Sequence, residues 1–294
     1  MIRRYASTLA CAGLLMPLFA ADCSTQQMAV RAMAPTMTDL LKRVNDQPDP
    51  GLVRDGVPSN LLLLDGLASI DPGNDDMAVL TAQAFCSYAL IFVMDEDKDR
   101  ARVLFEQGRA HALRALDGDY KGFAKAADDG DLTSFGTAVD KVKKGDIAPL
   151  FWLGNCWAGA INSSKGSAKA LIALPKVEKI MQQAVALDET YYFAGPRLFM
   201  GIYYAGRPKA LGGEPAKSKE NFDRAITLTD GHFLMTKVFY AQYYAVQTQD
   251  RELFESLLKE VIAAPDDIEP GQTLATRVAK EKAKKLLADA ESLF

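Results

Sequence analysis

Apolar residues recur along this chain at intervals of three and four from about residue 36 to the C-terminus, and strict alternation is almost absent. That spacing predicts helices and no sheet. Residues 77–94 (MAVLTAQAFCSYALIFVM) hold no charge over 18 positions, the minimum for a membrane span. Thr81, Gln83 and Ser87 dilute the run, and Asp75, Asp76, Asp95, Glu96 and Asp97 flank it, so a helix buried on nearly all sides explains it better. Ala101, Leu104, Phe105, Gly108, Ala112, Ala115 and Leu116 then draw one stripe along a second helix. Asp71, Pro72, Gly73 and Asn74 supply turn and capping chemistry ahead of this pair.

Weaker helices are expected at about 119–128 and 131–143. Clearer pairs follow at 149–162 with 175–187, 195–206 with 216–228, and 232–248 with 250–263. Pro175 suits a first helical turn, where its missing N–H costs nothing. A last helix at 272–293, with a basic face from Lys280 to Lys285, reads as the polar cap of a stacked array.

The first helices repeat a large residue, a small neighbour and an aromatic three further on: Tyr88–Ala89–Phe92, Leu153–Gly154–Trp157, Met200–Gly201–Tyr204 and Tyr240–Ala241–Tyr244. Second helices answer with Ala101, Phe105 and Gly108, and with Ser218, Phe222 and Ala225. This is the within-pair pattern of a tetratricopeptide repeat, in which the small residue lets two backbones approach. The small positions are 65, 47 and 40 residues apart, against a usual period of about 34, so the array is degenerate. The fold class expected is all-α, a tetratricopeptide-like helical-repeat superhelix with a C-terminal capping helix.

The N-terminus changes the domain picture. Arg3 and Arg4 precede an apolar run from Leu9 to Ala21 and a polar stretch from Ser24, the layout of a secretory signal. Cys23 stands where a bacterial lipoprotein is cleaved and acylated, although Asp22 departs from the small residue usual before it; the alternative is cleavage near Ala21. The organisation expected is a signal over 1–22, a tether over 23–35 and one helical domain over 36–294. Ser24 after Cys23 lacks the aspartate of inner-membrane retention, which leans the anchor to the outer membrane.

Composition then excludes chemistry more than it assigns any. The chain has 294 residues and a net charge of −4, with no basic run to form a nucleic-acid footprint. Removing residues 1–22 takes away two arginines and one aspartate, leaving 272 residues at −5. Two isolated histidines, His111 and His232, and four scattered cysteines offer no CxxC or HxxxH metal spacing. Neither a cofactor nor a metal is expected. Of the cysteines, Cys86 and Cys156 survive processing as thiols; export permits a bridge, but their apolar helical settings favour two buried, unpaired side chains. No nucleophile signature accompanies either histidine, and acidic pairs such as Asp75–Asp76, Asp128–Asp129 and Asp266–Asp267 fall where helix capping explains them. The chain does not read as an enzyme.

Three strings within 149–262 carry a resemblance: LFWLGNCWAGAINSSKG, LPKVEKIMQQAVALDETYYFAGPRLFMGIYYAGRPKALGGEP and FLMTKVFYAQYYAVQTQDRELFESLLKEV. They resemble the TatT family, lipoproteins that accompany a tripartite ATP-independent periplasmic (TRAP) transporter, and RPKALGGEP between two helices is the distinctive part. The resemblance implies an all-helical protein with cryptic tetratricopeptide-like repeats, a lipid anchor and trimeric assembly around a central opening. It also implies partnership with the periplasmic solute-binding subunit of the transporter.

Seven of the ten tyrosines lie between 191 and 244. Adjacent helical residues point roughly 100° apart, so one tyrosine of a pair can pack while its neighbour faces a groove. Tyr204 and Tyr244 hold the array's aromatic position and are expected in the core; Tyr203, Tyr240 and Tyr243 are groove candidates. Trp157, Asn162 and Lys165 cluster near one helix end, and Arg207 opens the Arg207–Pro208–Lys209 loop. A cation beside aromatic faces can hold an acid headgroup; alternatively Lys165 and Arg207 satisfy helix C-terminal carbonyls. GRPKALGG lacks the order of a phosphate loop. The function expected is a periplasmic lipid-anchored adaptor, docking a solute-binding subunit and holding an apolar or amphipathic acid. The other readings are an envelope scaffold that binds peptides or assembly factors, and a stand-alone carrier of hydrophobic ligands.

Overall fold

The computed structural model describes residues 25–164, 166–207 and 212–294, and among these all regular structure is helical. The proposed signal, Cys23, Lys165, Pro208 and Lys209 lie outside the described residues. The chain starts with a hairpin of two long helices, α1 (Thr25–Asn45) and α2 (Pro50–Ile70). Asp49 caps α2 by accepting the Leu52 N–H at 3.1 Å, and Pro50 occupies the first turn. Residues 25–35 were expected as a tether and are instead the first turns of α1. Val30, Ala34, Met37 and Leu41 recur at helical spacing and pack against the core, which gives this segment a reason to be ordered.

Helix α3 (Asp75–Tyr88) continues through a wider π-helical turn, Ala89–Val93. Asn74 caps it, accepting the Met77 N–H at 3.0 Å. By length and composition Asp75–Val93 could cross a membrane, but Met77, Ala78, Ala82, Phe85 and Ala89 are buried in the core, as its polar interruptions predict. Next come α4 (Lys98–Asp119) and the short α5 (Phe123–Asp128) and α6 (Leu132–Val139). α7 (Ile147–Asn162) is followed by α8 (Ala168–Leu171) and α9 (Leu174–Asp188), and then α10 (Tyr191–Ala205) pairs with α11 (Pro215–Leu228). Then α12 (Met235–Phe239) runs through a second π-helical stretch, Tyr240–Ala245, into α13 (Val246–Thr248). α14 (Arg251–Ala263), α15 (Thr273–Ala288) and α16 (Ala290–Leu293) complete the chain.

Both π-helical stretches fall on expected large–small–aromatic triplets, those at Tyr88 and Tyr240. The glycine triplets show why a small residue is needed. A Cβ on Gly201 of α10 would stand 2.9 Å from the buried ring of Phe222 on α11, and Ser218 of α11 donates its hydroxyl to the Gly201 carbonyl at 2.8 Å. The two helices therefore touch through backbone, ring and hydroxyl.

Cys86 of α3 and Cys156 of α7 are joined as a disulfide, with their Cα atoms 5.4 Å apart. This corrects the expectation of two unpaired thiols. Gly108 of α4 lies directly over the pair, and a Cβ there would collide with both sulfurs. Three helices thus converge at one point, a proximity that sequence separation hides.

The core forms two clusters that share α10: Met200, Tyr203 and Tyr204 serve the first, Leu198 and Ala205 the second. The order of packing curls the chain back on itself. α3 packs on α7, α7 on α10, α10 on the Tyr240–Ala245 stretch, and α12 on α15; α15 in turn meets α1 and α2, and α1 meets α3. The last long helix is therefore more than a polar cap, since it packs on both α12 and the N-terminal helices α1 and α2.

Candidate functional site

The expected site residues divide among three places. Trp157 is buried, edge-on to Phe135 at 6.0 Å and beneath the Arg109 guanidinium at 4.3 Å. Arg109 faces an open cleft of about 830 Å³ lined also by Asp75, Arg114, Asp119 and Asp128. Both arginines are engaged there, Arg109 with Asp128 at 2.5 Å and Arg114 with His111 Nδ1 at 3.0 Å. Burial and the neighbouring carboxylates Asp119 and Asp76 raise the Asp75 carboxyl above its ordinary range.

Tyr203 and Tyr240 do not face a groove. Tyr203 donates to Glu178 Oε2 at 2.9 Å, and its neighbour Tyr204 donates to Glu178 Oε1 at 3.0 Å. Tyr240 stacks on Phe222 at 4.7 Å and donates to Asp223 at 3.1 Å. In each case a tyrosine on a first helix reaches a carboxylate on the second helix of the preceding pair. A buried phenol needs such an acceptor, which is why these rings turn into the interface between pairs. Burial and the nearby carboxylate push both hydroxyls well above their ordinary range. Arg207 lies flat on the Tyr203 ring at 3.6 Å and donates Nε to the Tyr203 carbonyl at 3.3 Å, so it serves the end of α10.

Asn162 and Tyr243 each lie near a residue of the turn after α3, Met94 for the first and Asp95 for the second. Asn162 sits at the end of α7 with its amide against the Met94 thioether, 3.7 Å away. Sulfur is a weak acceptor, so this amide keeps donor capacity to spare. Tyr243 packs on Phe239 at 6.0 Å, and burial followed by the Asp95 charge pushes its hydroxyl up. Asp95 accepts Lys282 Nζ of α15 at 2.7 Å, across 187 residues of sequence, and the same ammonium stands 5.9 Å from the Phe239 ring. Gln242, beside Tyr243, keeps a buried side-chain oxygen without a hydrogen-bond partner among the described residues.

A separate group of touching rings joins α7 to the start of α10. Tyr192 packs on Trp152 at 4.9 Å and reaches Gln83 and Ser87 of α3. Phe193 stacks on Phe233 at 4.9 Å. These rings are aimed by an unusual backbone: Tyr192, Phe193 and Ala194 take left-handed φ values of 47°, 57° and 55° before the regular part of α10 begins. Each left-handed residue with a Cβ costs about 1–2 kcal/mol, and the interlocked rings hold it. Burial raises the hydroxyls of Tyr192 and Tyr243, and both side chains are half-buried against the core.

Sequence reasoning missed Lys282, Asp95 and Tyr192. Lys282 looked like one of several solvated lysines, and nothing in its spacing points to a turn 187 residues away.

Two comparisons place the chain among known proteins. A protein of Treponema pallidum (strain Nichols), itself described as uncharacterized, is 20% identical over 318 aligned residues, covering 99% of this chain and 96% of the relative. The family description "TRAP transporter T-component" matches residues 46–294, which include every helix from α2 to α16. The chain belongs to the TRAP transporter T-component family.

Proposed function

We propose that this protein is a lipid-anchored periplasmic adaptor of a TRAP-type transporter, docking the transporter's solute-binding subunit and holding an apolar or amphipathic organic acid against its inner helices. The observation that carries the reading is the family match over residues 46–294. The helix pairs support it: a tetratricopeptide-like array offers a broad inner face suited to a globular partner. The anchor is Cys23, with the outer membrane as its favoured location, and the assembly is a homotrimer. The protein is not an enzyme. His111 is held between Asp65 at 2.9 Å and Arg114 at 3.0 Å, with both ring nitrogens occupied, which suits a structural residue better than a general base.

Capture of the tagged lipoprotein after cross-linking in intact envelopes, followed by mass spectrometry, tests the adaptor role. A TRAP-type solute-binding subunit is expected to recur among the captured proteins, and its consistent absence overturns the reading. A second reading, a carrier of hydrophobic ligands acting alone, is favoured by the partly exposed aromatic rings of Tyr192 and Tyr243, each packed on another ring. It expects ligand without a transporter partner.

A further inference from the structure

We propose that one end of the α1–α2 hairpin rests on the lipid bilayer, with Met28 of α1 and Leu62, Leu63 and Ile70 of α2 entering the boundary between headgroups and acyl chains. The inference rests on the acylation of Cys23 in the proposed function and assigns the protein surface that meets the membrane there.

Three observations meet on this hairpin. Of the eleven large apolar side chains exposed among the described residues, seven stand on α1 and α2, with Leu62 at 75% and Met28 at 60%. Leu62, Leu63, Gly66 and Ile70 share one face of α2, within an arc of about 100° at 3.6 residues per turn. A Cβ on Gly66 would meet nothing within 4 Å, so no other part of the chain covers that face. Apolar residues grouped in this way mark a surface that meets a partner or a membrane. The second observation is charge. Residues 25–38 and 56–70 carry only two charged side chains, Arg31 and Asp65. Both are engaged with the protein, Arg31 with the buried Asp71 at 2.7 Å and Asp65 with His111 at 2.9 Å. Residues 39–55, around the hairpin turn, carry seven: Asp39, Lys42, Arg43, Asp46, Asp49, Arg54 and Asp55. The Arg31–Asp71 pair ties the start of α1 to the end of α2, so the two apolar stretches form one end of the hairpin and the charged turn forms the other. The third observation is the tether. Cys23 precedes Thr25, the first residue of α1, by two positions. Two residues span at most about 7 Å, so an acyl group on Cys23 brings the bilayer to the apolar end and not to the charged one. Helical backbone is bonded internally, and an apolar helix face can therefore enter the headgroup boundary without stranding polar groups.

The test is fluorescence quenching on the full lipoprotein in vesicles of phosphatidylethanolamine and phosphatidylglycerol that contain a spin-labelled lipid. Cys86 and Cys156 are bonded to each other, and Cys23 carries the lipid, so one introduced cysteine is the only thiol to label with nitrobenzoxadiazole. Leu62→Cys and Ile70→Cys place the label on the proposed face. Leu52→Cys is the reference: Leu52 is 59% exposed on the same helix, and eighteen residues from Ile70 are about 27 Å. The expected result is severalfold quenching at Leu62 and Ile70 and little at Leu52. Leu62→Glu with Leu63→Glu, both exposed and therefore harmless to the core, should abolish most of the quenching at Ile70. Quenching at Leu52 equal to that at Ile70, or none at any position on a chain that floats with the vesicles, overturns the inference while the anchor reading survives. Labels at Leu62 and Ile70 that are shielded without lipid at micromolar concentration, and unquenched with it, assign the face to a second copy and overturn it as well. If mass spectrometry finds no acyl group on Cys23, the anchor reading fails and the inference fails with it.

Discussion

Glu178 of α9 accepts the Tyr203 hydroxyl of α10 at 2.9 Å, and its second oxygen takes the adjacent Tyr204. One carboxylate therefore satisfies two buried phenols across the boundary between helix pairs. Removing it leaves the Tyr203 hydroxyl only the Leu174 carbonyl at 3.4 Å and the Tyr204 hydroxyl only the Gln182 side chain, and a poorly satisfied buried polar group costs about 1–3 kcal/mol. Glu178→Ala is expected to lower stability by about 1–2 kcal/mol in urea unfolding. Glu178→Gln retains one acceptor and loses less. Equal midpoints for Glu178→Ala and the wild type would show that the phenols find other partners.

The two glycine environments predict opposite signs for the same substitution. Gly201→Ala gains helix propensity worth up to about 1 kcal/mol but drives a methyl against the Phe222 ring, where overpacking costs about 1–3 kcal/mol. Phe222 is fully buried and cannot retreat, so a net loss is expected. At Gly66 in α2 an added methyl would meet nothing within 4 Å, so Gly66→Ala gains about 0.5–1 kcal/mol. Thermal melts of the two variants read the contrast directly.

The Cys86–Cys156 bond closes a loop with a sequence separation of 70. Loop-closure entropy for that length is worth about 4 kcal/mol. A reductant, or the double substitution Cys86→Ala with Cys156→Ala, is expected to lower the urea midpoint accordingly. Thiol titration of the unfolded, unreduced mature chain should find no free thiol at either position. A midpoint that ignores reductant contradicts a bond between these residues.

His111 supplies a pH signature. Burial, with the Arg114 charge opposing protonation further, holds its pKa below the ordinary 6.5, although Asp65 pulls the other way. The unfolded chain therefore binds a proton on His111 that the folded chain refuses. Stability from this residue is full above about pH 7 and is lost as pH falls through 6.5 toward the lowered folded value. The slope has a ceiling of about 1.4 kcal/mol per pH unit for one proton. Urea midpoints between pH 7.5 and 5.5 should fall in the wild type and flatten in His111→Gln.

Most of the helices were legible because helical order is local. Asn74 and Asp97 cap where their side chains meet the next turn, Pro175 sits in a first turn, and the triplet glycines mark real close approaches. The regular part of α10 begins after Ala194, where Gly195 and Pro196 suggest a start. What stayed hidden depends on distance in sequence. The Cys86–Cys156 bond, the Lys282–Asp95 pair and the joining of α15 to α1 link segments whose local patterns carry no trace of each other. The site suffered most. Tyrosines at helical spacing can turn to a groove or to a carboxylate on the next helix, and only Glu178 and Asp223, placed by folding, decide between them.

Sedimentation velocity on the purified mature chain mixed with the TRAP-type solute-binding subunit of the same cell tests the central claim most directly. The adaptor account predicts a faster species that contains both chains at micromolar concentration. Two boundaries sedimenting at the rates of the separate proteins, unchanged at tens of micromolar, would contradict it.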